Sequence, residues 1–592
     1  MSREEKRICQ NCHAEFLIDA SDFEFYAKIK VPPPTWCPEC RLMRRFTWRN
    51  ERSLYRRQCD LCRNSIIARF PSSAPFPVYC RTCWYSDKWD PADYGQEYDY
   101  KKPFLIQFSE LLNRVPHPAV AAVNAVNSEY CAYGADIKNV YLSASAVNSE
   151  DIYYSSRIDY SRYVFNSSYG RQLDGCVDVI DAVSASQVAS SRYIKNTMES
   201  QLLYDVHNVS HCLGCINLRN GKFMIMNQQY SEEDYKKRLQ DYDLGNYQSR
   251  EAFQQKFIEF ALKFPRCFAA ITKSHNVIGD NVADSKDCHL CFDTFGSENC
   301  KYLFAAVGDS RDSYDISFVK SNELCYEATS CQGSKNKFGH FAWGQSSLEY
   351  VYSSANMLSS YLFGCASIPH KKNYCILNKQ YSVEEYKVLV EKIKKDMTAN
   401  LYLDARGISY PYGENFPPEL SPFAYNETIA QEYFPLSKEE ALSQGYRWKD
   451  TEEKSYNITI TNDQLPDHIK DTQDSILNET IGCSHQGKCN EQCSTGFRII
   501  QQELELYRKM NLPLPRLCPN CRHYQRLKQR NPLKLWHRKC QCSGQKSSNG
   551  VYSNTVSHFH GSNPCPNEFE TSYAPERPEI VYCEQCYQAE VV

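Results

Sequence analysis

Pairs of cysteines separated by two residues recur near both ends of the sequence. In the first part of the chain they are Cys9/Cys12, Cys37/Cys40, Cys59/Cys62 and Cys80/Cys83. Two such turns supply four thiolates, the ligand set that Zn²⁺ takes in closed tetrahedral sites. Pro38 follows the third cysteine, where a proline favours a helix start, and a helix N-terminus favours the thiolate over the thiol. The spacing predicts two zinc sites, formed by Cys9, Cys12, Cys37 and Cys40 and by Cys59, Cys62, Cys80 and Cys83.

The segment that carries these pairs, Cys9 to Cys83, is called the first cassette. A second copy of it, the second cassette, lies near the other end of the chain. The segment from Cys37 to Cys59 recurs at Cys518 to Cys540, 481 positions later and without a gap. The second ligand keeps this register, but the first does not, because Cys9-x2-Cys12 becomes Cys489-x3-Cys493. The copy predicts a third zinc site, formed by Cys489, Cys493, Cys518 and Cys521.

In the fourth site, an insertion is expected to separate the first two ligands. The sequence VYC at 581–583 matches VYC at 78–80, and counting back from Cys583 by the Cys62–Cys80 distance reaches Cys565. Cys542 is then not a ligand, or it takes the place of Cys540. Two histidines in the insertion could add to the ligand set or compete with the cysteines for the metal. The predicted ligands are Cys540, Cys565, Cys583 and Cys586, and the two histidines are His558 and His560.

The segments CQNCHAEF…CPECR and CNEQCSTGF…CPNCR resemble a zinc-ribbon family. The shared pattern is two cysteines, a phenylalanine four positions on (Phe16 and Phe497), prolines, and then CPxCR. The resemblance covers two short segments, and the whole layout also resembles uncharacterised bacterial zinc-ribbon proteins. It implies zinc-ribbon or treble-clef modules at both termini and no known reaction. The extra residue in Cys489-x3-Cys493 departs from the pattern.

The middle of the chain consists of short apolar and aromatic bursts, such as NVYLS at 139–143 and DIYYS at 151–155. Ser, Asn, Asp and Gly separate the bursts, which recur every ten to thirteen residues. Such bursts are too short for helices and favour strands, and their regular spacing is typical of a solenoid. We predict a mainly β fold whose body is a duplicated right-handed β-solenoid (β-helix), with two bursts in each coil of roughly 20–25 residues. The rival is a pair of β-sandwich domains.

Each predicted solenoid block runs into a helix. KFMIMNQQYSEEDY at 222–235 matches NYCILNKQYSVEEY at 373–386, with Asn227 aligned to Asn378. A serine followed three residues later by an acid predicts a helix cap in both copies. The expected helices are 231–263 in two pieces, 382–400, an amphipathic helix at 100–113, and a short helix from Ser437 to Gly445.

These features predict eight segments along the chain. They are a double zinc-ribbon module at 1–90, a helical linker at 91–120, β-solenoid block 1 at 121–228, capping helices at 229–265, β-solenoid block 2 at 266–380, a capping helix at 381–403, an extended linker with one short helix at 404–475, and a second double zinc-ribbon module at 476–592.

Both cassettes carry an arginine-rich stretch with aromatic residues. Arginine beside stackable rings suits contact with phosphates and exposed bases. The alternative is that the arginine stems pack inside a small module and pair with acids of the protein itself. The residues considered for nucleic-acid contact are Arg41, Arg44, Arg45, Trp48, Arg49, Arg522, Arg526, Arg530 and Trp536.

Composition bounds the compartment and the partners. The formal net charge of −3 gives no global attraction to nucleic acid or membrane. We find no signal peptide at the start and no apolar run long enough to span a bilayer, which favours a cytoplasmic protein. In that compartment 30 cysteines are better explained by metal sites and buried thiols than by disulfides.

The prediction is a non-enzymatic scaffold that holds up to four structural zinc ions and no organic cofactor. It would bind a protein or a nucleic acid through the arginine-rich modules and the solenoid flank. The alternative is an intracellular enzyme acting on a carbohydrate or nucleotide in the solenoid groove. Its carboxylates would come from the set Asp151, Asp159, Asp174, Asp178 and Asp181.

Overall fold

The computed structural model describes residues 4–450 and 456–591. It divides into two compact units, each assembled from two separate stretches of chain. Unit 1 comprises Met1–Ala121 and Ala269–Asp450, and unit 2 comprises Ala122–Phe268 and Thr451–Val592. The first cassette therefore shares a unit with the second predicted block, and the second cassette shares a unit with the first block. Chain order alone predicted neither combination.

The body of each unit is a sheet of mainly parallel strands. The first block contains the strands Ala121–Val126, Tyr133–Tyr141, Ala144–Tyr153, Ser156–Asp159, Arg162–Phe165, Ser168–Gln201, Tyr204–Leu213, Arg219–Ile225 and Gln228–Gln229. The second block contains the strands Ile271–Thr272, His275–Ala283, Lys286–Lys301, Val307–Arg311, Tyr314–Ser317, Asn322–Glu323, Tyr326–Thr329, Gln332–Ser334, His340–Glu349, Tyr352–Ala355, Ser360–Phe363, Ala366–Ile368, Asn373–Ile376 and Lys379–Gln380.

Pairing in the first block follows a strict 12-residue register. Ala144 pairs with Ser156, and Ser156 pairs with Ser168. The expected repeat of roughly 20–25 residues is therefore wrong, because one burst corresponds to one repeat rather than to half of one. The second block is less regular, and its offsets range from 11, between His275 and Lys286, to 14, between Ser346 and Ser360.

Within the first block the backbone turns at every third residue. Asp136, Asn139 and Leu142 have positive φ, and the pattern continues at three-residue steps to Met226. The residue after each turn is typically buried, as at Ile137 and Val140. Asn and Asp tolerate this left-handed conformation better than most residues, which explains their abundance between the bursts.

Buried serines join consecutive repeats of the first block. The Ser155 hydroxyl accepts a hydrogen bond from the Ser167 amide, 12 residues later, and donates one to the Tyr153 carbonyl. In the same way, the Ser143 hydroxyl accepts a hydrogen bond from the Ser155 amide, and the Ser167 hydroxyl accepts one from the Val179 amide. A small polar residue therefore fits the narrow interior because both of its hydrogen-bonding functions are satisfied.

The two blocks end in the same way. A tight antiparallel turn places Asn227 and Asn378 at positive φ. Asn227 bonds through its amide to both the N–H and the carbonyl of Ile216, and Asn378 does the same with Ala366. The sequence match between these asparagines therefore corresponds to a shared structural role.

Helices follow both block ends, and others lie in the cassettes. Unit 1 contains α-helices at Ala20–Ile29, Pro38–Phe46, Arg81–Trp84, Phe104–Leu112, Val383–Ala399, Ala430–Tyr433 and Lys438–Ser443, with 3₁₀ turns at Pro91–Tyr94, Pro418–Leu420 and Tyr425–Glu427. Unit 2 contains α-helices at Glu232–Tyr242, Tyr247–Ala261, Gln501–Lys509, Pro519–Gln529 and Glu584–Val591, with 3₁₀ turns at Asn462–Gln464, Ile469–Asp471 and Asp474–Asn478. Ser231 and Ser382 cap their helices through the expected backbone amides.

Short strand pairs complete the cassettes and connections. The antiparallel pairs are Glu5–Ile8 with Glu15–Ile18, Tyr55–Gln58 with Ser65–Ala68, Tyr402–Leu403 with Ser409–Tyr410, Ile481–Gly482 with Gly496–Phe497, and Trp536–Lys539 with Glu568–Thr571. The parallel pairs are Val78–Tyr79 with His117–Pro118 and Arg266–Cys267 with Val581–Tyr582.

Residues 404–450 of the predicted extended linker (404–475) pack into unit 1, and residues 451–455 of that linker lie outside the described residues. Tyr410, Phe416 and Tyr425 are buried, and Phe416 stacks on Phe108 at a ring distance of 4.6 Å. Its aromatic side chains supply the apolar area, while the prolines prevent regular structure. Among the described residues, no helix has both the length and the apolar character needed to cross a membrane.

Candidate metal centres

Four cysteine clusters share one local architecture. The first two ligands flank the turn of an antiparallel strand pair, and the last two lie at the start of a helix. Cys37 and Cys80 are the N-cap residues of their helices, and Cys518 has the same place before Pro519–Gln529. Site 1 contains Cys9, Cys12, Cys37 and Cys40, site 2 contains Cys59, Cys62, Cys80 and Cys83, site 3 contains Cys483, Cys493, Cys518 and Cys521, and site 4 contains Cys540, Cys565, Cys583 and Cys586.

The sulfur atoms are spaced as ligands of one tetrahedral ion. Four sulfurs bound tetrahedrally to Zn²⁺ lie about 3.8 Å apart. The Sγ–Sγ distances are 3.7 Å between Cys12 and Cys37, 3.8 Å between Cys62 and Cys80, and 3.8 Å between Cys565 and Cys583. None of the cysteines in the described ranges forms a disulfide. The clusters therefore fit a metal ion better than a disulfide.

A backbone hydrogen bond recurs in all four clusters. The amide of the third ligand donates to the sulfur of the first at 3.2 Å, from Cys37 to Cys9 in site 1. The same 3.2 Å bond joins the equivalent cysteines in the other clusters. Such bonds stabilise a thiolate and fix the orientation of a metal ligand.

This hydrogen bond identifies a ligand that sequence analysis missed. In site 3 the Cys518 amide donates to Cys483, so Cys483 is the counterpart of Cys9. The predicted first ligand, Cys489, is not in the four-cysteine set, although its Sγ lies 3.7 Å from that of Cys521. The insertion lies between the first two ligands, where a longer loop leaves the strand pair intact. The strand pairing of Ile481–Gly482 with Gly496–Phe497 places Cys483 beside this turn, which the spacing of the cysteines did not indicate.

Site 4 brings together the four cysteines selected by counting back from Cys583. Its long insertion returns to the cluster. The Cys542 sulfur lies 3.2 Å from His558 Nδ1, and the Cys586 sulfur lies 3.3 Å from His560 Nε2. Cys542 does not replace Cys540, because the two cysteines belong to different ligand groups.

The arginines of the first cassette are inside unit 1, which corrects the prediction of nucleic-acid contact. Arg41, Arg44, Arg45, Trp48 and Arg49 are at most 4 % exposed. A phosphate or base cannot reach them in this structure. The sequence pattern did not distinguish buried arginines from a basic surface, because both place aromatic rings nearby.

These arginines pair with acids of the second block and of the segment after it. Arg41 and Arg45 share Asp315, at 2.9 and 3.0 Å. Arg44 pairs with Glu327 and with Glu414. Burial raises the pKa of the Glu327 carboxyl, because the charged form loses its hydration. The helix Pro38–Phe46 is thus held on its block by buried charge pairs.

The second cassette shows the same arrangement inside unit 2. Arg522 pairs with Glu503 at 2.8 Å, and the Arg526 guanidinium donates to the Tyr154 carbonyl at 3.0 Å. Arg530 lies over the Tyr169 ring, 3.6 Å from its centroid, and pairs with Asp181. Trp536 is half-buried. These contacts favour the alternative in which the arginines pair with groups of the protein itself, and nucleic-acid contact at Trp536 stays a prediction.

The five aspartates considered for catalysis do not form a shared carboxylate pair among the contacts of the first block. Asp174 pairs with Arg162 at 3.0 Å, and Asp151 accepts a hydrogen bond from Asn139. Burial raises the pKa of the Asp178 carboxyl, which lies near Arg526. In a 12-residue register the five occupy five different columns, so none stacks directly on another.

A surface depression of the first block is lined by four charged residues on neighbouring strands, Lys138, Glu150, Arg162 and Asp174, whose charges alternate in sign. We call these four residues the charged column. Lys138 pairs in register with Glu150, Glu150 with Arg162, and Arg162 with Asp174. Side-chain ion pairs join Lys138 to Glu150 and Arg162 to Asp174. Tyr160 lines the same depression and is 49 % exposed.

Comparisons with known proteins do not identify this chain. No family model matches it, and no curated protein matches it. One crystal structure, described as that of an acetyltransferase from Desulfovibrio desulfuricans, aligns over 53% of this chain and 86% of its own, with 10% sequence identity and a TM-score of 0.08. That likeness carries no argument about fold or activity.

Proposed function

We propose that this protein is a zinc-dependent, non-enzymatic scaffold that recognises a protein partner through the first block. The observation that carries the proposal is the set of four cysteine clusters with sulfurs at tetrahedral spacing. Cys483, Cys493, Cys518 and Cys521 supply site 3, with Cys489 beside them. Four thiolates leave no position for water, so each zinc ion would be structural rather than catalytic.

We further propose that the body is a β-solenoid and that both cassettes are treble-clef modules. Parallel pairing at 12-residue steps supports stacked coils of a right-handed β-solenoid, with one coil for each repeat. The strand pair followed by a helix supports treble-clef modules of the zinc-ribbon kind in both cassettes. Zinc would fix each module so that its arginine-bearing helix fits the block.

The charged column of the first block favours a protein over a nucleic acid as the partner. Lys138, Glu150, Arg162 and Asp174 alternate in sign, so the depression has no excess positive charge for a phosphate backbone. A polypeptide carrying both signs of charge complements such a column. The exposed ring of Tyr160 adds apolar area at its edge.

Elemental analysis of protein purified without chelators tests the metal part. We expect at least four zinc ions per chain, and a Cys40→Ser variant should lose one. Cys176→Ser is the matched control, because Cys176 is a buried cysteine of the first block outside the metal clusters. Fewer than two zinc ions in the native protein would overturn the proposal.

Photo-crosslinking from position 160 tests the recognition part. A crosslinker there should trap a polypeptide, and the Lys138→Glu/Arg162→Glu variant should reduce the yield several-fold. A crosslinker at Tyr456, which is 44 % exposed, serves as the surface control. A product that nuclease destroys, or one that forms equally from position 456, would contradict recognition of a protein at the charged column.

A further inference from the structure

The insertion of the second cassette places a second donor set directly beside site 4. Cys542, His558, His560 and Cys586 each direct one donor atom to a common point, and these atoms lie within 4.8 Å of one another. Cys586 also belongs to site 4, where its sulfur lies 3.7 Å from that of Cys565. We propose that these residues bind a fifth metal ion and that the Cys586 thiolate bridges it to the ion of site 4. The inference rests on the proposed zinc occupancy of site 4.

The donor chemistry suits a tetrahedral, borderline-soft ion. Two thiolates and two imidazoles are a ligand set that Zn²⁺ uses in closed sites. A sulfur and an imidazole nitrogen on one tetrahedral zinc lie about 3.5 Å apart. The observed distances of 3.2 Å at Cys542 and 3.3 Å at Cys586 are close to this separation.

Both histidines are held with a ring nitrogen free to face the sulfurs. His558 Nε2 lies 2.8 Å from the Glu590 carboxylate, to which it donates, so that Nδ1 presents a lone pair toward Cys542. His560 Nδ1 donates to the Asn563 carbonyl at 2.6 Å, so that Nε2 faces Cys586. A carboxylate or carbonyl on the remote nitrogen is the usual support of a metal-binding histidine.

The supporting groups are themselves fixed. Glu590 accepts hydrogen bonds from the Thr555 amide and the Tyr552 hydroxyl. The Asn554 amide donates to the Cys542 sulfur at 3.1 Å, which stabilises a thiolate there. Cys542 is 1 % exposed and His558 is 7 % exposed. The insertion is therefore organised around the donor set.

Sharing a thiolate also improves the charge balance. Four thiolates around one divalent ion leave two excess negative charges, whereas five thiolates and two neutral imidazoles around two divalent ions leave one. The smaller excess is easier to bury. Site 2 is the uninserted counterpart of site 4, and its two-residue spacing between Cys59 and Cys62 leaves no room for additional ligands.

Native mass spectrometry of the full chain gives the first test. We expect five zinc ions in the native protein, four in the His558→Ala/His560→Ala variant, and five in the exposed control His537→Ala. Four ions in both the native protein and the double variant would overturn the fifth site and leave the proposed function intact. Fewer than two ions in the native protein would instead overturn the proposed function itself.

Cadmium-113 NMR of the unmutated protein tests the bridge without relying on a variant that folds. Two cadmium ions that share the Cys586 sulfur should give a pair of resonances with mutual coupling. One of them should lie at the higher field expected for two nitrogen donors. Five uncoupled resonances would overturn the bridge, and the absence of a resonance with nitrogen donors would overturn the site.

Discussion

Arg44 is enclosed by the protein and has two carboxylate partners, Glu327 and Glu414. Each member of this group depends on the others, because an unpaired charge in the interior retains its desolvation cost without compensation. The guanidinium carbon of Arg44 also lies over the Trp36 ring, 4.5 Å from the ring centroid. Residue types that suggest a binding surface are therefore part of the internal support of unit 1.

Arg44→Met should destabilise unit 1 by about 3–5 kcal/mol, because Glu327 and Glu414 would remain buried without their cation. The free energy of unfolding is measured from urea-dependent hydrogen exchange of unit 1 peptides. Arg63, whose side chain is 72% exposed, provides the control. Arg63→Met should change stability by less than about 0.5 kcal/mol. Equal effects of the two changes would contradict the buried pairing.

Two buried histidines should make unit 1 sensitive to mild acid. Burial lowers the pKa of His117 to about 4 and that of His340 to about 3, from an ordinary value of 6.5. The unfolded chain therefore binds protons that the folded chain excludes, so stability is complete above pH 6.5 and falls as the pH drops below it. Between pH 8 and pH 5.5, each ring should lower the free energy of unfolding by about 1.4 kcal/mol.

The same hydrogen-exchange measurement at several pH values tests this dependence. The His117→Gln/His340→Gln variant should lose most of the slope, whereas His275→Gln, at an exposed position, should keep it. An unchanged slope in the double variant would mean that these rings do not control the acid sensitivity.

The cysteine clusters show which of their members residue spacing can predict and which it cannot. Cys565 was found because the distance to the third ligand is conserved between cassettes, and site 4 contains it. Cys483 was missed because the insertion in site 3 falls between the first two ligands, and a nearer cysteine offered a similar spacing. Only the strand pair and the Cys518 amide distinguish Cys483 from Cys489.

At the scale of elements, each block ends with an asparagine that carries two roles. Asn378 occupies a left-handed backbone position with φ near 63° and also satisfies both polar backbone groups of Ala366. These roles can be separated by substitution, because glycine retains the conformational freedom and alanine does not.

Asn378→Ala should destabilise unit 1 by about 2–4 kcal/mol, through lost hydrogen bonds and backbone strain. Asn378→Gly should cost about 1–2 kcal/mol less, since only the hydrogen bonds are lost. Urea-dependent hydrogen exchange of the strand Asn373–Ile376 provides the measurement. Identical losses in the two variants would show that the left-handed conformation contributes nothing.

The burst spacing of ten to thirteen residues predicted parallel strands and their approximate period. It did not reveal that the chain turns at every third residue, because the inward positions alternate among Ser, Ala, Val, Ile and Cys. Such a mixture produces no continuous apolar pattern. The repeat was overestimated because two bursts were assigned to each repeat, whereas the strands pair at 12-residue steps.

At the scale of the whole molecule, each cassette depends on a block that is distant in sequence. The helix Pro38–Phe46 packs on Tyr314–Ser317 and Tyr326–Thr329 in unit 1, and Pro519–Gln529 packs on Ser168–Gln201 in unit 2. The sequence duplication predicted two cassettes and two blocks. It contained no signal for their pairing, because both arginine helices have similar residues.

Disruption of site 1 should therefore destabilise the second block rather than the first. In a Cys37→Ser/Cys40→Ser variant, we expect hydrogen exchange of Tyr314–Ser317 and Tyr326–Thr329 to accelerate at least tenfold, while residues 122–228 remain protected.

The reciprocal variant, Cys518→Ser/Cys521→Ser, should accelerate exchange in Ser168–Gln201 and leave residues 269–380 unchanged. If either variant instead loosens the block adjacent to it in sequence, the assignment of segments to the two units is incorrect.

The division of each unit between two separate stretches also sets an order of events on the ribosome. About 150 residues separate Ala121 from Ala269, which corresponds to roughly 7–30 s of translation at 5–20 residues per second. During that interval the first cassette has its cysteines but lacks Asp315, Glu327 and Glu414. Nascent chains would therefore display a cationic helix that the finished protein conceals, and early zinc loading would protect the thiols until their block is made.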